Sequence, residues 1–183
     1  MLRPVVLSVL LLSGGLVACD SGGPGDERLP RTSTYATDGT DLAQATAALP
    51  DGGLVVGGIA EGRIAPTDGT IAYPLVLRFD EAGLVAGATV YRDGEPDFGG
   101  VAGVAPLDDG LAVLVRRDGA LVLYRTDRDG RDRRVLFRPP ATFAPEGTLL
   151  RTHDGGLVFA VYPEVAEADA VFKVTEDGEL AWS

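Results

Sequence analysis

The chain has 183 residues, with 16 basic and 27 acidic side chains and a net charge of −11. Acidity of this size argues against a nucleic-acid phosphate backbone as partner and against a polybasic contact with anionic lipid. Its single cysteine, Cys19, excludes a disulfide within one molecule.

Residues 1–19 read MLRPVVLSVLLLSGGLVAC: a basic start at Arg3, an apolar run over residues 5–12, then small residues up to Cys19. That order is the layout of an export signal. The apolar stretch 4–18 contains a Pro and two Gly and falls short of the ~20 residues a spanning helix takes, so a permanent transmembrane helix is the poorer reading. Residues 16–19, Leu-Val-Ala-Cys, resemble the lipobox of bacterial lipoproteins. The resemblance implies cleavage between Ala18 and Cys19, a lipid on the Cys19 thiol and acylation of the new amino terminus. The competing reading is an ordinary secretory signal followed by an incidental cysteine. Several fatty acyl chains would anchor the protein firmly, since each buried CH₂ adds about 0.8 kcal/mol. The expected location is the cell envelope, lipid-anchored in a membrane and facing the periplasm or the exterior. Asp20 resembles the inner-membrane retention signal of enterobacterial lipoproteins; the choice between inner and outer membrane stays open.

Loss of residues 1–18 removes Arg3 and no acid, which moves the net charge from −11 to −12. Residues 19–30 are rich in Gly, Pro and charge and read as a flexible tether. Residues 31–183 are long enough for one domain with its own core.

Within that domain, short runs rich in Val, Leu, Phe and Tyr alternate with Gly-containing turns, and Gly or Pro interrupts nearly every window long enough for a helix. The expected class is all-β. Residues 166–170 could add one helical turn in a loop. Three passages repeat one plan of four strands. The first comprises DLAQATAALPDGG, LVVGGIA, a long loop over residues 61–73, PLVLRFDEAG and LVAGATVY. The second comprises GGVAGVAPLDDG, LAVLVRRDG, ALVLYRTDRDG and RDRRVLF. The third comprises EGTLLRTHDGG, LVFAVYP, a loop, AVFKVTEDG and ELAWS. The later turns fall at Gly83, Gly130 and Gly178, and the earlier ones at Gly52, Gly110 and Gly155. Gly suits such hairpins because it accepts positive φ, and Asp bonds its own backbone. Gly57 and Gly58 are expected to let neighbouring sheets approach.

Four antiparallel strands in ~40–50 residues is the size of a propeller blade. DGGLVVGG, HDGGLVF and the pair FDEAG and TEDGELAW resemble a repeat found in many exported bacterial proteins. Its unit runs DGG, an apolar strand, a loop, a strand ending in Lys or Arg, a turn and a Gly-x-Leu-x-Trp strand. The resemblance spans residues 42–183 and implies a β-propeller-like fold of about three four-stranded antiparallel blades; only the third unit keeps the Trp, Trp182. Residues 31–37 read as an outer strand standing before the first unit. Three blades are fewer than the usual four to eight. A fragment of a longer product or an open, partial propeller is preferred to two copies closing a six-bladed ring.

Candidate sites are few. Asp127, Asp129 and Asp132 resemble part of a calcium loop, but the later bidentate Glu is missing and Arg128, Arg131, Arg133 and Arg134 crowd it. A charged hairpin tip is the preferred reading, with no metal. His153, the single histidine, precedes Asp154-Gly155 in a turn and lacks the strand–elbow–helix context of a hydrolase triad. Asp80, Glu81, Asp108, Asp109, Glu176 and Asp177 recur with the repeat, as hairpin chemistry does. Phe79, Tyr91, Tyr124, Phe137, Phe159, Phe172 and Trp182 fall on strands and read as core. The composite expectation is a lipid-anchored, exported binding or assembly scaffold without catalysis or cofactor, taking a protein or glycan ligand. Its rivals are an envelope hydrolase built on loop carboxylates such as Asp68 and Asp97, and a remnant of a longer propeller.

Overall fold

Apolar runs too short for helices, each closed by a turn that reverses the chain, fold as hairpins and bury their side chains by stacking sheet on sheet. The computed structural model describes residue 35 and residues 40–64, 70–92, 99–117, 120–139, 143–144, 148–163 and 170–183. The signal, the tether and most of the expected outer strand 31–37 lie outside the described residues; Tyr35, within that stretch, is half-buried and not in a strand. Among the described residues, no helix is long and apolar enough to cross a membrane.

The first sheet is β1 (Thr40–Ala48), β2 (Leu54–Ile64), β3 (Thr70–Phe79) and β4 (Val85–Val90), hydrogen-bonded in that order. The second is β5 (Gly100–Pro106), β6 (Leu111–Arg117), β7 (Ala120–Thr126) and β8 (Arg134–Phe137). In the third, a two-residue strand β9 (Phe143–Ala144) pairs with the far end of β11, beside the path β10 (Leu149–Arg151), β11 (Leu157–Pro163), β12 (Ala170–Val174) and β13 (Leu180–Trp182). All pairings are antiparallel. The three expected units are therefore three separate meanders.

Five of the turns share one pattern, in which the residue opening the turn donates across it and a Gly with φ between 76° and 92° donates back, as in Leu49 N to Gly53 O and Gly52 N to Leu49 O. The β5–β6 turn is one residue shorter; there Leu107 N donates to Gly110 O, and Gly110 needs no positive φ. The expected long loop 61–73 is corrected. The β2–β3 hairpin runs on to Arg63↔Ile71 and Ile64↔Thr70, because ladder pairing needs only backbone donors and acceptors. Ala170, expected in a helical turn, opens β12; residues 164–169 lie outside the described residues.

The second sheet is buried on both faces. Leu111, Val113 and Val115 cluster with Val55 and Val76 of the first sheet, while Ala112, Leu114 and Leu123 cluster with Leu157, Phe159 and Phe172 of the third. A third cluster, Val56, Leu77 and Phe79 with the half-buried Tyr35, covers the far face of the first sheet. Two glycines set the stacking distance. A Cβ on Gly57 would collide with Val101 and stand 2.9 Å from Val104 Cγ1, and one on Gly103 would stand 2.6 Å from Leu149 Cβ. Gly58 does something else: its missing Cβ makes room for the Leu42 carbonyl at a bulge within its own sheet.

Candidate functional site: the charged turn face

In a four-strand meander the first and third connections lie at one end. The Asp- and Gly-bearing turns of all three sheets are joined there by ion pairs. Arg78 on β3, Arg125 on β7 and Lys173 on β12 occupy the same register place, opposite Val55, Ala112 and Val158. Each reaches the Asp of its own sheet's first turn: Arg78 to Asp51 at 3.8 Å, Arg125 to Asp109 at 2.5 Å and Lys173 to Asp154 at 2.5 Å. The two arginines also reach the outer turn of the following sheet. Arg78 Nε donates to Asp129 Oδ1 at 2.9 Å, and Arg125 Nη1 lies 3.5 Å from Glu176 Oε1. Arg151 adds a second bridge, to Asp108 at 2.7 Å and Glu176 at 3.5 Å.

The backbone consolidates the same end. Tyr91 donates its hydroxyl to Gly130 O at 2.8 Å, and Thr89 Oγ1 donates to Asp129 O at 2.7 Å, so the β7–β8 turn is held against the first sheet. The guanidinium of Arg133 lies 4.1 Å over the Tyr91 ring. Asp80 accepts from Leu84 N at 2.8 Å, and Asp127 accepts from Asp129 N at 3.0 Å and Arg131 N at 2.7 Å. The hydrogen bond from Lys173, with others from Thr152 and Gly156 N, holds the Asp154 carboxyl well below the usual carboxylate range. Arg151 lowers Asp108 in the same way, and is itself raised by that bond.

Two depressions open on this face. A cleft of about 370 Å³ lies between the first and second sheets. Leu49, Pro50, Pro106 and Leu107 wall it, and Asp51, Arg78, Asp108 and Arg128 stand at its rim. Arg128 donates to the Asp108 carbonyl at 3.3 Å. The other depression, of about 560 Å³, is shallow and polar, with Asp109, Asp127, Asp132 and Asp177 facing Arg125 and Arg134.

The calcium-like triplet does not converge. Asp127 and Asp132 line the shallow depression, Asp129 turns to Arg78, and Asp127 spends an oxygen on two turn amides. Among the described residues no group of three or more His, Cys, Asp or Glu could hold a metal ion. His153 is exposed in its turn. Ala18, Cys19, Asp68 and Asp97 lie outside the described residues. Of the aromatics expected on strands, Phe79, Phe159 and Phe172 are buried, as is Tyr91, which stands one residue past β4, and Tyr124 and Phe137 are half-buried. Phe137, Phe159 and Phe172 form one ring cluster with centroids 5.5 to 6.2 Å apart. Trp182 departs from the core expectation: half its surface is exposed.

Sequence reasoning missed that Arg78, Arg125 and Arg151 join sheets rather than solvate turns. For Arg78 and Arg125 the signal was the basic residue recurring at the end of each third strand; Arg151, at the end of β10, carried no such signal. Comparison with known proteins finds no family model that matches the chain and no curated protein that matches it.

Proposed function

We propose that the chain is a lipid-anchored protein of the bacterial cell envelope whose three sheets are consecutive blades of a β-propeller-like scaffold, and that the scaffold presents its turn face as a binding surface rather than a reaction centre. The anchor rests on Leu-Val-Ala-Cys at residues 16–19 and the Gly- and Pro-rich tether after it. The blade reading draws support from three separate meanders stacked in chain order, with Gly103 of β5 packed on Leu149 of β10. One observation carries the binding reading. The cleft between the first and second sheets has apolar walls in Pro50, Pro106 and Leu107 and polar groups of both signs at its mouth. That combination suits a protein segment or a glycan, which offer apolar faces and hydrogen-bonding edges together.

Both halves are open to test. Cys19→Ser should move the protein from the membrane fraction to the soluble fraction; persistence in the membrane removes the anchor. For the cleft, chemical-shift perturbation with cell-wall glycan fragments and with extended peptides should move Gly110 and Leu107 amides. Perturbation confined to other faces would remove the cleft from the proposal. Replacing Asp68 and Asp97 by Asn should leave binding unchanged, whereas a hydrolase would lose turnover.

A further inference from the structure

The third sheet leaves bare a face that its two predecessors cover. Val76, Leu123 and Val171 each stand two residues before Arg78, Arg125 and Lys173, on the same side of their sheets. Val76 and Leu123 are fully buried, whereas Val171 is 40% exposed. Beside Val171 and Lys173 lie Leu150 and Trp182, in register through Leu150↔Val158, Val158↔Lys173 and Lys173↔Trp182, and both are at least half exposed. The electrostatics repeat the asymmetry. Arg78 and Arg125 each take a second acid from the following sheet, Asp129 and Glu176. The ion pair recorded for Lys173 is with Asp154 of its own turn.

The chain carries a matching part at its other end. The β3–β4 turn of the first sheet is the repeat equivalent of the turns that seat Gly130 on Val76 and Gly178 on Leu136. Glu81 stands there in the place of Glu176, exposed to solvent, and Leu84 beside it is 53% exposed. We infer that a second copy of this chain docks the outer turn of its first sheet, residues 80–84, onto the third sheet, with Glu81 meeting Lys173 and Leu84 meeting Val171 and Trp182. The contact extends a stacking made twice within the chain, in which an outer turn lies on the preceding sheet through its Gly, on the Val76 side chain in one case and the Leu136 backbone in the other, and gives an acid to that sheet's arginine, Asp129 to Arg78 and Glu176 to Arg125. It is confined to turn and seat, since Val56, Leu77 and Phe79 on the inner part of the first sheet's far face are already buried. Because two different surfaces meet, the arrangement is head-to-tail and closes as a ring or continues as a file. It rests on the repeated sheet contacts alone and stands or falls separately from the lipid anchor and the cleft.

The test uses full-length chains in detergent, all carrying Cys19→Ser so that the introduced thiols are the ones a maleimide meets. Copies carrying Glu81→Cys are mixed with copies carrying Lys173→Cys and treated with a short bis-maleimide, since a Glu–Lys pair holds its Cα atoms farther apart than a disulfide permits. A covalent dimer should form in the mixture and in neither preparation alone. In sedimentation, Lys173→Glu and Glu81→Lys should each weaken association roughly tenfold, and the two changes in one chain should restore it. Circular dichroism matching the parent shows that each variant is folded. Trp182→Ser, at an exposed position, should weaken association without loss of fold. A monomer at every concentration overturns the inference, as does cross-linking that occurs only between copies carrying Trp182→Cys.

Discussion

Arg78 Nε and Asp129 Oδ1 lie 2.9 Å apart across the boundary between the first and second sheets, although 51 residues separate them in the chain. The guanidinium lies on β3 and the carboxylate sits in the β7–β8 turn. Around this pair, Asp51 approaches the same guanidinium at 3.8 Å, and Thr89 and Tyr91 grip the backbone of Asp129 and Gly130. The turn is thus a clasp between sheets as well as a reversal of the chain.

Arg78→Ala should destabilise the fold by about 1 kcal/mol, because the pair is partly exposed and water recovers part of the loss. A lower urea midpoint with unchanged slope is the expected result. An unchanged midpoint would show that the clasp contributes nothing measurable.

Tyr91→Phe removes the buried hydroxyl that donates to Gly130 O and leaves that carbonyl without this donor. The expected loss is about 1.5 kcal/mol, measured in the same urea experiment.

Gly83 and Gly178 separate backbone strain from crowding. Both have positive φ, 76° and 92°, but no heavy atom lies within 4 Å of a Cβ built on Gly83, whereas one on Gly178 collides with the Leu136 carbonyl. Gly83→Ala should cost about 1 kcal/mol, the strain of a left-handed residue. Gly178→Ala should cost about 3 kcal/mol, because the obstacle is backbone and cannot rotate away. Equal losses, compared by thermal or urea unfolding, would show that the third sheet does not seat on the second through this turn.

Asp154 and Asp108 have folded-state pKa values below their ordinary value of 3.8. The unfolded chain therefore binds protons more readily, and stability should fall as pH drops from the ordinary carboxylate value through the lowered folded values. Above that window their contribution is fully present. Asp154→Asn should flatten part of the acid limb of a stability-versus-pH curve. The change should be small, because both groups are exposed to solvent. A curve parallel to the parent's would remove Lys173–Asp154 as a source of acid sensitivity.

Much of the architecture was legible in residues that act locally. LVVGGIA, LAVLVRR and LVFAVYP are apolar runs between Gly turns, and each became the second strand of its sheet. Gly52, Gly83, Gly130, Gly155 and Gly178 took the positive φ that their turns require. The length of the β2–β3 hairpin was not legible, since Glu61, Gly62 and Arg63 carry no strand-forming signal, and Gly62 and Arg63 pair with Thr40 and Ile71 only because the neighbouring strands lie alongside. Nor was the role of Asp129. Beside Asp127 it resembled a metal ligand, and only the neighbouring sheet supplied the guanidinium that takes it.

By itself the amino-acid order determined the four-strand plan of each unit, most of the places where the chain reverses and the grouping into three units, because turn geometry and strand periodicity depend on residues within a few positions of one another; the short β9 was not foreseen. The tertiary structure alone decided which faces are covered and which charges meet. Val76 and Val171 hold the same place in the repeat, and one is buried while the other is bare. Burial is set by whether another sheet lies against the face, and no local pattern encodes that.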